Sequence, residues 1–225
     1  MASIPFASHP LSLECVVLAF ENDRLHVLIN DNEHKAYKGK PALPSASVRE
    51  NDVPDKSVKR TLSDFPGVKI NSIEKGEFFA DPDRFPKGRV ISLSVVALAH
   101  PRSVASELPR TARWVPADKP GQLALDHKEL IKNAILRIRE KSVFQPVLFD
   151  LLPEKFTLSQ LQSLYENMYE KTLDKRNFRK KMLALKVLAP SREYQKEVAH
   201  KAARYYTVDR KKFNAFIGNG GIFIF

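Results

Sequence analysis

The sequence predicts an α+β chain in two parts: a layered domain of mixed strands, then a helix-turn-helix carrying a β-ribbon wing. Three observations predict it. Apolar, β-branched runs dominate the first half of the chain. After residue 156, a capped helix, a short turn, a basic helix and an alternating ribbon follow in that order. The charge is also unevenly placed. Residues 1–145 hold 22 basic and 18 acidic residues, and the shorter segment 146–225 holds 15 and 8. With 225 residues, 43% of them hydrophobic, the chain can bury one large or two small cores.

The elements of the first part follow in order. "LECVVLAF" and "RLHVLIN" are apolar and β-branched, divided by the turn-like "ENDR", and read as two strands. "SVKRTLSDFPGV", Ser57 to Val68, reads as a polar helix stopped by Pro66 and Gly67. "RVISLSVVALA", Arg89 to Ala99, is a buried strand and "ARWVPA" a short further one. Asp126 is placed to cap a helix in which Leu130, Ile131, Ala134, Ile135 and Ile138 recur at helical spacing. His127 then sits in the first turn and serves packing; the competing reading is a catalytic base. Pro146 and Pro153 mark a linker whose apolar residues, in "FQPVLFDLLPEKF", expect a surface to pack on. The predicted division is therefore 1–145, a linker at 146–156, and 157–225.

The second part opens on a capping box, with Thr157 as cap and Gln160 reaching back. Leu158, Leu161, Leu164, Tyr165 and Met168 form one apolar stripe. After "EKTLD", Asp174 caps a second helix. Its Phe178, Met182 and Leu185 face one way, and Lys175, Arg176, Arg179 and Lys180 another. Such a helix can bury one face on its own domain and offer the other to a DNA major groove. Arg176 and Arg179 suit guanine, Asn177 suits adenine, and Lys175, Lys180 and Lys181 suit phosphates. In the ribbon, Lys196, Lys201 and Arg204 suit the DNA backbone or minor groove. The competing reading is an ordinary solvated basic face. Capped helix, turn and ribbon together favour a double-stranded DNA partner.

Composition excludes other classes. The one cysteine, Cys15, allows neither an internal disulfide nor a Cys-based zinc site, and it reads as a small buried hydrophobe. No apolar run approaches the ~18 residues of a membrane helix, and the first residues lack a basic start. A cytoplasmic protein with no membrane partner is expected.

"ALPSASVRENDVPDKSVKRTLSDFPGV", Ala42 to Val68, resembles a worn Nudix box. Its arginine position falls on Arg60, its aliphatic positions on Leu62 and Val68, and its closing glycine on Gly67. The opening glycine falls on Ala46 and the first glutamate on Asp52. The other three glutamate positions fall on Thr61, Asp64 and Phe65. Read as one helix face, carboxylates at 61, 64 and 65 would hold magnesium against a pyrophosphate. Only Asp64 remains, while Phe65 extends the apolar stripe of Val58 and Leu62. No metal, no other cofactor and no catalytic residue is expected here. "ARWVPADKPGQLALDHKEL" resembles the end of such domains.

"FDLLPEKFTLSQLQSLYENMYEKTLDKRNFRKKML" and "PKGRVISLSVVALA" resemble the Nudix-related transcriptional regulators, the NrtR family, and the likeness runs from about residue 11 to 215. It implies a Nudix-like mixed-sheet α/β/α sandwich that senses an ADP-ribose-like nucleotide or a sugar. It also implies a winged helix on an operator, a bacterial homodimer, repression, and domain rotation at 146–156. Arg49, Arg60, Lys87 and Arg89 are the cations nearest the worn box; they suit phosphate or sugar hydroxyls, or are ordinary surface charges. The alternatives are a Nudix-type hydrolase of ADP-ribose-like nucleoside diphosphate derivatives and a nucleic-acid-associated structural module. The tail "GNGGIFIF" either docks or is a disordered end.

Overall fold

Two long apolar runs set the frame of the N-terminal half. The computed structural model describes residues 8–31, 37, 39–105, 107–195 and 202–224. Strands β1 (Leu11–Glu21) and β2 (Arg24–Asp31) form a hairpin. Its two turn residues, Asn22 and Asp23, both take positive φ, 51° and 57°. That is the turn that matches strand twist, and Asn and Asp tolerate it. Short strands β3 (Pro41–Ala42) and β4 (Ser45–Ser47) pair with β2 and with the start of β1.

Strand β6 (Ile91–Ala99) runs parallel to β1, with Leu11 opposite Ile91 and Leu18 opposite Leu98. Strand β5 (Ile70–Phe79) pairs antiparallel with β6, and β7 (Ala112–Pro116) with β2. The sheet is therefore mixed. β1 and β6 are covered on both faces, which is why both read as near-continuous apolar runs.

The pleat of β1 sorts its side chains between two layers. Leu13, Cys15, Val17 and Ala19 face helix α1 (Pro54–Ser63), with Val58 and Phe65 in the same cluster. Val16, Leu18 and Phe20 face helix α2 (His127–Ser142), through Leu130, Ile131, Ala134 and Ile138. The result is the expected α/β/α sandwich. Cys15 lies wholly inside it, and burial pushes its thiol up to about 12.

Three local expectations change. Helix α1 ends at Ser63 with Asp64 as its C-cap, so 61, 64 and 65 do not form one helix face. Asp126 occupies the N-cap position of α2 but makes no side-chain cap bond. Its carboxylate instead accepts from Arg84 Nε at 2.8 and 2.7 Å. Strand β5 escaped the sequence reading because its alternation is polar on one side and broken by a register shift between Lys75 and Phe78. Gly76 is required there, since a Cβ would stand 2.0 Å from Ser94 Oγ. That hydroxyl accepts the Glu77 amide at 2.7 Å.

The linker is not a free hinge. Pro146–Leu151 winds into a 3-10 turn that buries Val147, Leu148, Phe149 and Leu151. These side chains join one apolar cluster with Val16 and Leu18 of β1 and with Leu161 and Tyr165 beyond. One core thus runs through both parts of the chain, and rotation at 146–156 would have to break it.

The C-terminal part contains β8 (Phe156–Thr157), α3 (Leu158–Tyr169), α4 (Lys175–Ala184), β9 (Leu188–Tyr194) and β10 (Arg204–Val208). The ribbon order is β8-β10-β9. β9 continues through the polar stretch Ser191–Tyr194. A further helix, α5 (Arg210–Gly218), was not anticipated; Asp209 caps it by accepting the Lys212 amide at 3.1 Å. The tail docks within the chain. Phe223 stacks on Phe213 at 4.7 Å, and its amide donates to Val143 O at 3.0 Å, beside the end of α2. Among the described residues no helix is long and apolar enough to cross a membrane.

Candidate functional site

The basic helix is presented by a fixed support. Both halves of the capping box form: Thr157 Oγ1 accepts the Gln160 amide at 3.2 Å, and Gln160 Oε1 accepts the Thr157 amide at 2.8 Å. The turn between α3 and α4 is pinned by Glu166, which accepts from Gln162 Nε2 and from the Leu173 amide at 3.0 and 2.8 Å. Asp174 caps α4 by accepting the Asn177 amide at 2.7 Å. Phe178 and Met182 are buried, with the Phe178 ring 5.7 Å from that of Tyr165. Lys175, Arg176, Asn177, Lys180 and Lys181 are left exposed.

Two of the expected contact residues are engaged inside the domain. Arg179 Nη2 donates to Ser159 Oγ at 3.0 Å, and its Nε is buried without a hydrogen bond among the described residues. It braces α4 against the first turn of α3. Arg204 Nε donates to Ser191 O at 2.7 Å, and its guanidinium lies 6.0 Å from the Tyr194 ring centre. It ties the two ribbon strands together. Lys196 and Lys201 lie outside the described residues.

The segment that resembles a worn box is held by internal contacts. Asp52 pairs with Arg60, and with Lys56 at 3.1 Å. Those hydrogen bonds hold its carboxyl down at about 2, led by the one from Arg60. Arg60 also donates to Ser47 O at 3.2 Å, which staples helix α1 to β4. Thr61 is buried and its hydroxyl donates to Ser57 O at 3.0 Å. Phe65 is buried too, and Asp64 stands alone at the helix end. These residues do not fit a magnesium site. Among the described residues no group of three or more His, Cys, Asp or Glu could hold a metal ion. Of the four cations expected to meet a ligand, Lys87 lines a cavity; Arg49 and Arg89 are exposed and lie outside its lining, and Arg60 is spent on Asp52.

That cavity, of about 470 Å³, holds the residues the sequence reading missed. Ser12, Glu14, Tyr37, Ser45, Arg84 and Phe85 line it. Glu14 is 2% exposed, between buried Leu13 and Cys15 on β1. Its Oε1 accepts from Ser12 Oγ at 3.2 Å and from Ser92 Oγ at 3.4 Å. The Arg84 side chain is 3% exposed, with Nη2 3.9 Å from Glu14 Oε1. Arg84 also donates to Ser92 Oγ and to Asp126.

Behind them lies His127, fully buried. Its Nδ1 accepts the Leu43 amide at 3.0 Å, so Nε2 carries the proton of the neutral ring, 3.6 Å from Glu14 Oε2. Burial lowers the His127 pKa to about 4. Burial raises that of Glu14 to about 7, against the opposing pull of Arg84. Glu14 Oε2, Arg84 Nη2 and His127 Nε2 have no hydrogen bond among the described residues. One signal for this cluster was present in the sequence: a lone carboxylate inside "LECVVLAF".

Comparison with known proteins agrees with this architecture. Residues 148–208 match the model of the NrtR DNA-binding winged helix domain. The chain is 22% identical over 184 residues to the ADPR responsive transcriptional repressor NtrR of Acinetobacter baylyi, covering 79% of this chain and 74% of that protein. Its fold matches the crystal structure of Shewanella oneidensis NrtR complexed with a 27mer DNA. The TM-score is 0.78 at 21% identity, over 95% of this chain and 97% of that one. A MutT/nudix family protein from Enterococcus faecalis shares the fold at TM-score 0.68 and 19% identity, over 92% and 89% of the two chains.

Proposed function

We propose that this chain, a Nudix-like fold joined to an NrtR-type winged helix, is a ligand-responsive DNA-binding transcriptional regulator acting as a repressor. The observation that carries the reading is the exposed set Lys175, Arg176, Asn177, Lys180 and Lys181 on a capped helix, inside the segment that matches the NrtR winged helix. The Acinetobacter relative is named as an ADPR responsive repressor, and the Shewanella fold match is a DNA complex; both support it.

Arg176 and Asn177 read base edges, and Lys175, Lys180 and Lys181 hold phosphates. Arg179 and Arg204 position the helix and the ribbon. Residues 1–145 form the sensor for an ADP-ribose-like nucleotide or a sugar, 146–156 the packed connection, and 157–225 the DNA-binding part. A homodimer on a two-fold operator is the natural assembly. Effector binding changes DNA affinity only through a difference in its affinity for the two arrangements of the dimer. The sensor performs no hydrolysis, because Thr61 and Phe65 replace carboxylates with buried groups.

The test is DNA binding by fluorescence anisotropy, on a fragment selected by the protein from a randomised pool. Arg176→Ala is expected to lose ~1–3 kcal/mol of discrimination between the selected and a mutated fragment. Lys180→Ala is expected to weaken both fragments alike and reduce the salt slope by about 1. Wild-type binding by both variants would sink the assignment. Magnesium-dependent turnover of ADP-ribose would overturn the non-catalytic sensor.

A further inference from the structure

A separate cavity, of about 650 Å³, lies where helix α2 meets the end of β7 and the C-terminal end of α3. That volume is the size of a small-molecule site, about 300–1,000 Å³. Leu25, Ala117, Ile131, Ile135 and Leu136 give it an aliphatic lining. Leu136 is 47% exposed, on a helix whose other large apolar side chains are buried or half-buried. Among the described residues no aromatic ring lines the cavity.

Most polar groups of the lining are already engaged. Asn167 Nδ2 donates to Asp23 O and Ser163 O at 3.0 and 2.9 Å, and its Oδ1 accepts the Leu25 amide at 3.3 Å. Arg139 donates to Met168 O at 2.7 Å and to Glu170 at 3.2 Å. Asp118 pairs with Arg24, and Glu129 with Lys132. Every carboxylate of the lining thus has its cation. Lys119 and Lys128, both exposed, are left over and make no ion pair among the described residues.

This balance selects the ligand. A nucleotide base finds no ring to stack on, and a polyol finds most donors and acceptors taken. An aliphatic chain is answered by the lining, which gains from losing water. An anionic head group is answered by the two surplus ammonium groups, whose side chains also lend their apolar stems.

We infer that this cavity binds an aliphatic monocarboxylate. Its chain lies along Ile131, Ile135 and Leu136, and its head group meets Lys119 and Lys128. The occupant would touch α2 and the end of α3 together, on the seam between the two parts of the chain. The site is distinct from the cavity beside Glu14, and the inference concerns binding alone, independent of the regulator reading.

The test is isothermal titration calorimetry on the full chain at pH 7, with octanoate, octylammonium and butanoate as probes. Octanoate is expected to bind saturably at one site. Octylammonium, with the opposite charge, and butanoate, with four methylenes fewer, should each bind at least tenfold more weakly. Leu136→Asp and the double variant Lys119→Glu/Lys128→Glu should each weaken octanoate at least tenfold. The double variant Lys59→Glu/Arg110→Glu makes the same change in net charge at exposed positions outside the cavity, and should bind octanoate as wild type does.

The site is overturned if octanoate does not bind, if octylammonium or butanoate binds as tightly, or if the two lysine replacements leave octanoate binding unchanged. Equal weakening by Lys59→Glu/Arg110→Glu would overturn it too, by showing a general effect of net charge. The replaced side chains are all exposed, and urea midpoints confirm that each variant is folded. Should Leu136→Asp not fold, the three probes and the lysine pair decide the matter.

Discussion

Glu14 and His127 place opposite demands on pH, and both follow from burial. Glu14 has its pKa raised to about 7, so its contribution to stability is present below its ordinary value of 4.5 and is lost as pH rises through 7. His127 has its pKa lowered to about 4. Its contribution is present above 6.5 and is lost as pH falls toward 4. Replacing Glu14 with Gln removes only the first. Relative to wild type, Glu14→Gln should therefore gain on the order of 3 kcal/mol between pH 5 and pH 8, read from urea midpoints at the two values. An equal difference at both pH values would show that Glu14 is not a buried, strained acid. Arg179 makes a second test at this scale. Because it is tied to Ser159, Arg179→Ala should weaken matched and mismatched DNA by the same factor. A loss confined to the matched fragment would return it to reading bases. Sequence reasoning placed Arg179 on the right helix but could not see Ser159 across the α3–α4 turn.

At the level of elements, the strands and helices that the sequence announced are those whose period was clean. β1, β2 and β6 are long apolar runs, and α3 carries a complete capping box and an unbroken stripe. β5 was illegible for a physical reason: one face is solvated, and Gly76 interrupts the pattern where the backbone closes on Ser94. Gly76→Ala should cost ~1–3 kcal/mol in urea denaturation, as overpacking against a neighbour that cannot withdraw. A neutral result would mean that the β5–β6 contact is looser than its geometry. Thr157→Ala should cost about 1 kcal/mol by releasing the Gln160 amide. The segment around helix α1, Ala42 to Val68, is the instructive middle case. Its helix and its Val58–Leu62–Phe65 stripe were legible, but its end at Ser63 was not. The inward turn of Thr61 depends on tertiary packing that no local signal records.

For the whole molecule, the shared core decides the mechanics. Val147, Leu148, Phe149 and Leu151 bridge β1 and α2 to α3, and Phe223 closes the far side against Phe213. The two halves should therefore unfold together: calorimetry is expected to give one transition with equal calorimetric and van't Hoff enthalpies. Two resolved transitions would refute the continuity. The change of charge and periodicity near residue 157 was legible in the sequence, and it suggested two parts. Their fusion was not, since an apolar linker sequence does not say which surface it will meet. Under the proposed regulator reading, a signal from the first part would reach α4 through packed side chains, since no loose joint separates them.

Cys15 has one practical consequence. It is the chain's single thiol, it sits on the central strand one residue from Glu14, and it is wholly buried with its pKa pushed up to about 12. A thiol reagent can reach it only when β1 parts from its neighbours, and the thiolate forms only once water arrives. The native protein thus carries an intrinsic clock: the rate at which it is labelled counts the openings of its innermost strand, with no dye or mutation to disturb them.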